Sequence, residues 1–232
     1  MLSTDYREVI KISEIIKAIP LYEQLYKALK KRILNGEMEA GTRLIDSKLA
    51  EEFGTSRSPI REAIRMLEHE NLIINNNGLF FIYEPSLEDL IELYKVRSGL
   101  EYSAVYWGTH NISEEQLNKL EKLLAEAKES IDNNNYENIV ELNTSFHDEI
   151  LYSSNNSRLI GMMEDIRSLI IYYRNILFLD FNNDYNFIGD HIKVFEEIKN
   201  KNAQHAAQLM VEHINNDMKY FTKLFEERGE IK

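Results

Sequence analysis

The stretch from Ser47 to Leu72 constrains this chain more than any other, because its spacing is that of a helix-turn-helix. Leu49, Ala50 and Phe53 give a first helix one apolar side, and Gly54 supplies a turn. Thr55 and Ser56 then offer hydroxyls to cap a second helix from about Arg57. Along that helix Arg57, Arg61 and Arg65 recur every four residues, an advance of about 400°, so they share one face. Ile60, Ala63, Ile64 and Leu67 line the other. Pro59 falls in the first turn, where backbone N–H groups have no intrahelical acceptor, so it pins the helix start and does not break it. Asn71 stands where a left-handed cap is needed. The β-prone runs Leu72–Ile74 and Leu79–Ile82 flank Asn75-Asn76-Asn77-Gly78, and Asn-Gly signals a hairpin. Helix, turn, helix, hairpin predicts a winged helix. Taken alone, the arginine row also fits a solvated helix face with Arg65 paired to Glu68; the hairpin favours a face that enters a DNA groove.

The run from Gly41-Thr42-Arg43-Leu44 to Leu72, with Ser56-Arg57-Ser58-Pro59-Ile60-Arg61-Glu62-Ala63 at its centre, resembles the N-terminal domain of the GntR family of bacterial transcription regulators. The resemblance implies that Ser56, Arg57, Ser58 and Arg61 contact a double-stranded DNA operator, with the wing tip, Asn77 and Gly78, near the minor groove. Two positions depart from the family pattern: the wing carries no lysine or arginine, and Asn71 replaces a usual glycine.

A net charge of −12 excludes a chain that coats nucleic acid uniformly, so the distribution of charge matters. Residues 1–83 hold 12 Lys and Arg against 12 Asp and Glu, which leaves the whole excess on the remainder. This predicts a neutral domain with local basic patches joined to an acidic one that DNA would repel. Arg43 and Lys30-Lys31-Arg32 are candidates for phosphate contact, or equally a solvated surface. The chain has no cysteine, which excludes disulfides. No stretch approaches the roughly 20 apolar residues that span a bilayer, and no basic-then-apolar signal opens the chain. A cytoplasmic protein without a membrane partner is expected.

Pro20 opens a helix through about Leu34, with Leu21, Leu25, Leu29 and Ile33 spaced to pack on the helix-turn-helix. Residues 5–18 form a further amphipathic stretch, either a helix or a frayed arm. Glu84-Pro85 ends the wing and Ser86-Leu87-Glu88-Asp89 begins a helix, dividing the chain into a DNA-binding domain, 1–84, and an all-helical domain, 85–232. The second domain reads as helices at about 86–109, 113–132, 135–153, 156–179, 186–200 and 202–228, separated by a capping box at Ser113-Glu114-Glu115-Gln116 and by asparagine- and serine-rich breaks. The expected fold is mainly α: a winged helix with a small β-hairpin, then an antiparallel bundle.

His147, His191 and His213 stand on three different predicted helices, each within an apolar face, and Asn143 lies one turn before His147. Spacing alone leaves metal ligands and hydrogen-bonded core residues both open. Residues 86–228, however, resemble the all-helical FCD effector domain of one GntR subgroup. In its metal-binding branch an Asp-x-x-x-His pair and two later histidines hold a divalent cation. The resemblance implies a set of Asn143, His147, His191 and His213, with asparagine replacing aspartate. Loss of the carboxylate disfavours hard cations, whereas three imidazoles suit zinc or nickel. Asp148 points about 100° away on the helix and is no obvious replacement. His69, His110 and His205 lie off the set.

Arg97 matches the subgroup's first-helix arginine, which implies that it faces the pocket and pairs with a small carboxylate effector; an i,i+4 pair with Glu101 is the competing reading. Arg167, Tyr172 and Arg174 are further candidates for the pocket wall, and helical phase leaves open which point inward. These readings together predict a homodimeric, carboxylate-sensing transcription regulator with a bound divalent metal. Two rivals are a metal-dependent hydrolase, with Glu141, Asp148 or Glu149 as base, and a DNA-binding module controlled only by protein partners. No His-Glu-x-x-His, nucleophile elbow or glycine-rich phosphate loop occurs, so an enzyme is not expected.

Overall fold

The computed structural model describes residues 19–133, 138–178 and 187–228, so the amphipathic stretch 5–18 lies outside the described residues. Among them are nine helices and one small antiparallel sheet. In chain order these are α1 (Leu21–Leu34), β1 (Arg43–Leu44), α2 (Asp46–Glu52), α3 (Arg57–His69), β2 (Ile73–Asn76) and β3 (Leu79–Ile82), followed by α4 (Leu87–Asn111), α5 (Glu114–Asp132), α6 (Ile139–Ser153), α7 (Ser157–Phe178), α8 (Phe187–Lys199) and α9 (Ala203–Arg228).

The first six elements make the winged helix. Ile60, Ala63, Ile64 and Leu67 of α3 are buried and pack on α1, whose own buried face is Leu25, Leu29 and Ile33. Each large side chain buried in this way contributes roughly 1.5–3 kcal/mol. Helix α3 ends as its asparagine predicts: Asn71 adopts φ 59°, its N–H donates to Glu68 O at 3.0 Å and Leu72 N–H donates to Leu67 O at 3.0 Å. The wing turns on two residues, Asn77 at φ 51° and Gly78 at φ 84°, with Gly78 N–H donating to Asn75 Oδ1 at 2.9 Å.

Three local expectations change. The wing has three strands in the order β1-β3-β2, because Arg43 and Leu44 pair with Phe81 and Phe80. A two-residue strand is too short to leave a periodic signal. Strand β2 also runs to Asn76, opposite Leu79, so only two of the four Asn-Asn-Asn-Gly residues turn. Finally, Ser56 occupies the α3 N-cap with an extended backbone, but its hydroxyl makes no capping hydrogen bond.

The remaining six helices form the bundle. Helix α4 is its axis, packed along α9 and against α6 and α7, while α5 lies on α6 and α8. Ser113 and Gln116 form the expected capping box at the start of α5. Gly108 lets α4 and α6 approach closely: a Cβ there would sit 2.5 Å from Ser153 Oγ and 2.9 Å from Ile150 O. No helix among the described residues is long and apolar enough to cross a membrane.

Helix α7 fastens the bundle to the winged helix. Ser168 Oγ donates to Glu70 Oε2 at 2.8 Å, and Asn175 Nδ2 donates to Leu34 O at 2.9 Å. Burial raises the Glu70 carboxyl, but hydrogen bonds from Lys30, Tyr26 and Ser168 more than offset this and hold it below its ordinary value. The Tyr173 hydroxyl accepts from Ser86 N–H at 3.1 Å, and the Asp89 carboxylate and Ser86 carbonyl, each 3.0 Å away, compete for its single proton. Tyr83, at the end of the wing, donates to the same Asp89 and lies 2.9 Å from Tyr173 Oη.

Candidate functional site

The arginine row lies across an open groove of about 400 Å³ between α3 and the wing. Arg43, Arg57, Arg61, Arg65 and Gly78 all line it, so residues from α3, β1 and the hairpin tip converge as a single cationic surface. Ser56, Ser58 and Asn77 are exposed but are not among its lining residues. Asp46, at the start of α2, also lines this groove. Its carboxylate accepts two bonds from Arg57 Nη2, both 2.9 Å, and one from Arg61 Nε at 2.6 Å. The Arg57 hydrogen bond, with help from Arg61, holds the Asp46 carboxyl below its usual range. Both guanidinium groups remain more than half exposed, so Asp46 orients them without withdrawing them. Sequence reading missed this residue; its signal was an acid at the first position of a helix that precedes two arginines.

The second site is inside the bundle. His147 on α6, His191 on α8 and His213 on α9 each bring a ring nitrogen to within 4.8 Å of the others. His191 Nε2 and His213 Nε2 are 3.0 Å apart, and Phe146 stacks on His191 with 4.3 Å between centroids. Burial lowers the basicity of all three rings, well below the ordinary imidazole value for His147 and His191; the nearby Arg97 and Arg174 charges add to this at His147, and the other two histidines at His191. Burial thus favours the neutral ring at each, the form that can ligate a cation. Asn143 is buried one turn before His147, and its Oδ1 has no hydrogen-bond partner among the described residues. Three clustered imidazoles, with a buried orphan carbonyl one helical turn from one of them, are donor types that fit a borderline cation. Asp148 lies elsewhere, ion-paired with Arg167.

Arg97 sits beside the cluster, where it lines the pocket and also makes the i,i+4 pair with Glu101. It is 1% exposed, its Nη2 donates to His147 Nε2 at 3.1 Å, its Nη1 donates to Asp217 Oδ2 at 3.3 Å, and its Nε donates to Glu101 Oε1 at 3.4 Å. A small cavity between α4, α6 and α7 opens here, lined by Arg97, Glu101, Thr144, His147, Asp148, Arg167 and Arg174 among others. Of the three residues whose phase was open, Arg167 and Arg174 line it, whereas Tyr172 turns toward the wing and meets Tyr83 edge-on. His110 is exposed, and His205 contacts Glu197 at 3.3 Å, so both stay outside the cluster. Of the candidate hydrolytic bases, Glu149 is paired with Lys119 and Glu141 is exposed.

Residues 21–79 match the model for bacterial regulatory proteins of the gntR family, and residues 92–216 match the FCD domain. The chain is 36% identical to the HTH-type transcriptional regulator YdhC of Bacillus subtilis, over 92% of this chain and 96% of that protein. It is 31% identical to the gluconate operon transcriptional repressor of Bacillus licheniformis, over 61% of this chain and 58% of the repressor. The solved structure of Escherichia coli McbR/YncC has the same fold, with a TM-score of 0.75 at 24% identity, covering 91% of this chain and 100% of that one.

Proposed function

As a member of the GntR family of bacterial transcription regulators, with an FCD domain behind its DNA-binding domain, this chain is a transcription regulator, and we propose that it senses a small carboxylate and relays that signal to an operator. The observation that carries the DNA half is the groove in which Arg43, Arg57, Arg61 and Arg65 meet the wing tip. Arg57 and Arg61 read base edges, as guanidinium forks do with guanine, while Arg43 holds phosphate. Asp46 keeps the two reading arginines in register. The chain acts as a homodimer, which sets two recognition helices about one DNA turn, roughly 34–36 Å, apart. Val96 and Trp107, exposed three turns apart on one side of α4, supply an apolar face suited to a second copy.

His147, His191, His213 and the Asn143 carbonyl would hold the divalent cation, zinc or nickel by donor type. Such a cation would act as a Lewis acid toward a carboxylate oxygen. Gluconate, in the name of the Bacillus licheniformis relative, is itself a hydroxy carboxylate, which supports that effector class. Selection of genomic fragments tests the reading. The wild-type protein is expected to retrieve one recurring, near-palindromic site, and the Arg57→Ala, Arg61→Ala double variant, folded by circular dichroism, to retrieve none. Equal retrieval by the double variant would sink the assignment of α3.

A further inference from the structure

Four arginines and a single acid line the groove between α3 and the wing. The acid, Asp46, is the first residue of α2, and its side chain is 16% exposed, against 57% for Arg57 and 55% for Arg61. Its carboxylate does not hold the two arginines alike. Arg61 donates through Nε, 2.6 Å from Oδ2, which leaves its two terminal nitrogens without a bond to the acid. Arg57 donates through Nη2, which lies 2.9 Å from both Oδ1 and Oδ2.

Nη2 is the nitrogen common to both forks of a guanidinium, one made with Nε and the other with Nη1. A guanine seated on either fork of Arg57 would therefore bring its acceptors, O6 and N7, against the Asp46 carboxylate. On Arg61 the fork made by Nη1 and Nη2 is not the edge that the acid holds. We propose that Asp46 is a positioning residue that divides the work of α3: it leaves Arg61 to read guanine with two donors, restricts Arg57 to a single-donor contact, and repels phosphate from the groove. This inference rests on reading α3 as the helix that enters DNA, and it narrows that reading to a guanine opposite Arg61.

The same acid sorts the operator from other DNA. Its bonds to the arginines keep the carboxyl below its usual range, so it is charged at neutral pH. Away from the cognate sequence, binding rests on phosphates, which draw arginines without regard to base. There Asp46 opposes binding twice, by holding Arg57 and by setting a negative charge against the backbone. At the operator the opposition is smaller, because the Arg61 guanidinium that it orients is the one that meets the base. Asp46 therefore lowers affinity for DNA at large more than affinity for the operator.

Fluorescence anisotropy of the full-length protein, with the site retrieved by wild type and with a scrambled duplex of equal length, tests this. Asp46→Ala is expected to bind the scrambled duplex more tightly, with a salt slope steeper by about 0.9, one further phosphate contact. Its ratio of operator to scrambled affinity is expected to fall about tenfold, within the range that one two-donor base contact discriminates. Asp46→Asn, which keeps the side-chain shape without the charge, is expected to move the ratio the same way and keeps the test open where alanine disturbs α2. In selection from a randomised duplex, Arg61→Lys is expected to lose one preferred guanine per half-site, which Arg57→Lys keeps. An unchanged ratio in a folded Asp46 variant would overturn the proposal, as would an equal loss of affinity for both duplexes, the mark of a merely structural role. So would retention of that guanine by Arg61→Lys, or its loss in Arg57→Lys. The reading of α3 is scored separately: if the Arg57→Ala, Arg61→Ala double variant still retrieves the operator, or wild type retrieves none, that reading falls and takes this one with it. If the double variant fails and the ratio is unmoved, only the role of Asp46 falls.

Discussion

Replacing Tyr173 with phenylalanine isolates one of the contacts through which α7 holds the winged helix. The ring stays, so its edge-on packing against Tyr83, 6.3 Å between centroids, is kept. What is lost is the oxygen, and with it the 2.9 Å hydrogen bond to Tyr83 Oη that reaches the wing, the bond accepted from Ser86 N–H and the one shared with Asp89 or the Ser86 carbonyl. A neutral hydrogen bond contributes about 0.5–1.5 kcal/mol net, and one to a carboxylate about 1.5–3. Both need discounting, because Ser86 is exposed and can turn to water, and because Asp89 keeps its bond from Tyr83. The net loss is then about 1–2 kcal/mol, or roughly a tenfold fall in the ratio of docked to undocked winged helix. Hydrogen exchange reads this directly. The amides of Ser86 and Asp89 are expected to exchange about ten times faster in the variant, while Leu67 on α3 and Ile214 on α9, both fully buried, keep their protection. Tyr172→Phe is the control, since Tyr172 meets Tyr83 only through its ring. Unchanged exchange at Ser86 in Tyr173→Phe, or an equal effect from Tyr172→Phe, would refute the reasoning.

Two further outcomes follow from the bundle. Gly108→Ala is expected to destabilise by about 1–3 kcal/mol despite alanine's higher helix propensity, because the new methyl meets Ser153 Oγ and the Ile150 carbonyl; adding Ser153→Ala relieves only the first, so a urea melt should show partial recovery. The stability of metal-free protein is expected to fall with acid. His147, His191 and His213 have folded pKa values below the ordinary 6.5, so below that pH the unfolded chain binds protons that the folded chain refuses. Stability is thus fully present above about pH 6.5 and declines as pH falls toward the depressed folded values, with a slope approaching about 4 kcal/mol per pH unit if all three act. Urea midpoints at pH 7.5 and 5.5, with the His213→Asn variant alongside, check this: a flat profile, or one unchanged by the substitution, contradicts buried neutral imidazoles.

Much of the fold was legible because its signals are local. The α3 apolar stripe, the Asn71 cap, the Asn77-Gly78 turn and the Ser113 capping box each span a few residues and are decided by backbone sterics or one hydrogen bond. Strand β1 left no trace because two residues carry no period and its partner, β3, lies far along the chain. The Ser56 cap failed for the opposite reason: the residue type suits the position, but whether its hydroxyl turns inward depends on surroundings that no local pattern encodes. The three histidines were legible as inward-facing positions on separate helices. That they meet depends on how α6, α8 and α9 cross.

Arginine shows where such reading stops. Arg97 carried a visible signal, since Glu101 stands at the helical i,i+4 spacing, but its second acid, Asp217, is 120 residues away and only packing of α4 on α9 brings them together. Arg167 and Arg174 are seven residues apart on α7 and look alike in sequence. Packing makes them different: one pairs directly with Asp148 on α6, and the other hydrogen-bonds the Thr144 hydroxyl and meets the charges of Asp217 and Glu101 without direct contact. Whether a charge is answered is a property of the assembled interior, because the answering group can come from any helix. A residue's own position therefore identifies it as pocket-facing, while its chemical role follows only once every neighbouring acid is accounted for. By that account Arg174 is a pocket-facing arginine whose charge is met from across the bundle, by Tyr94 and Glu101 on α4 and Asp217 on α9.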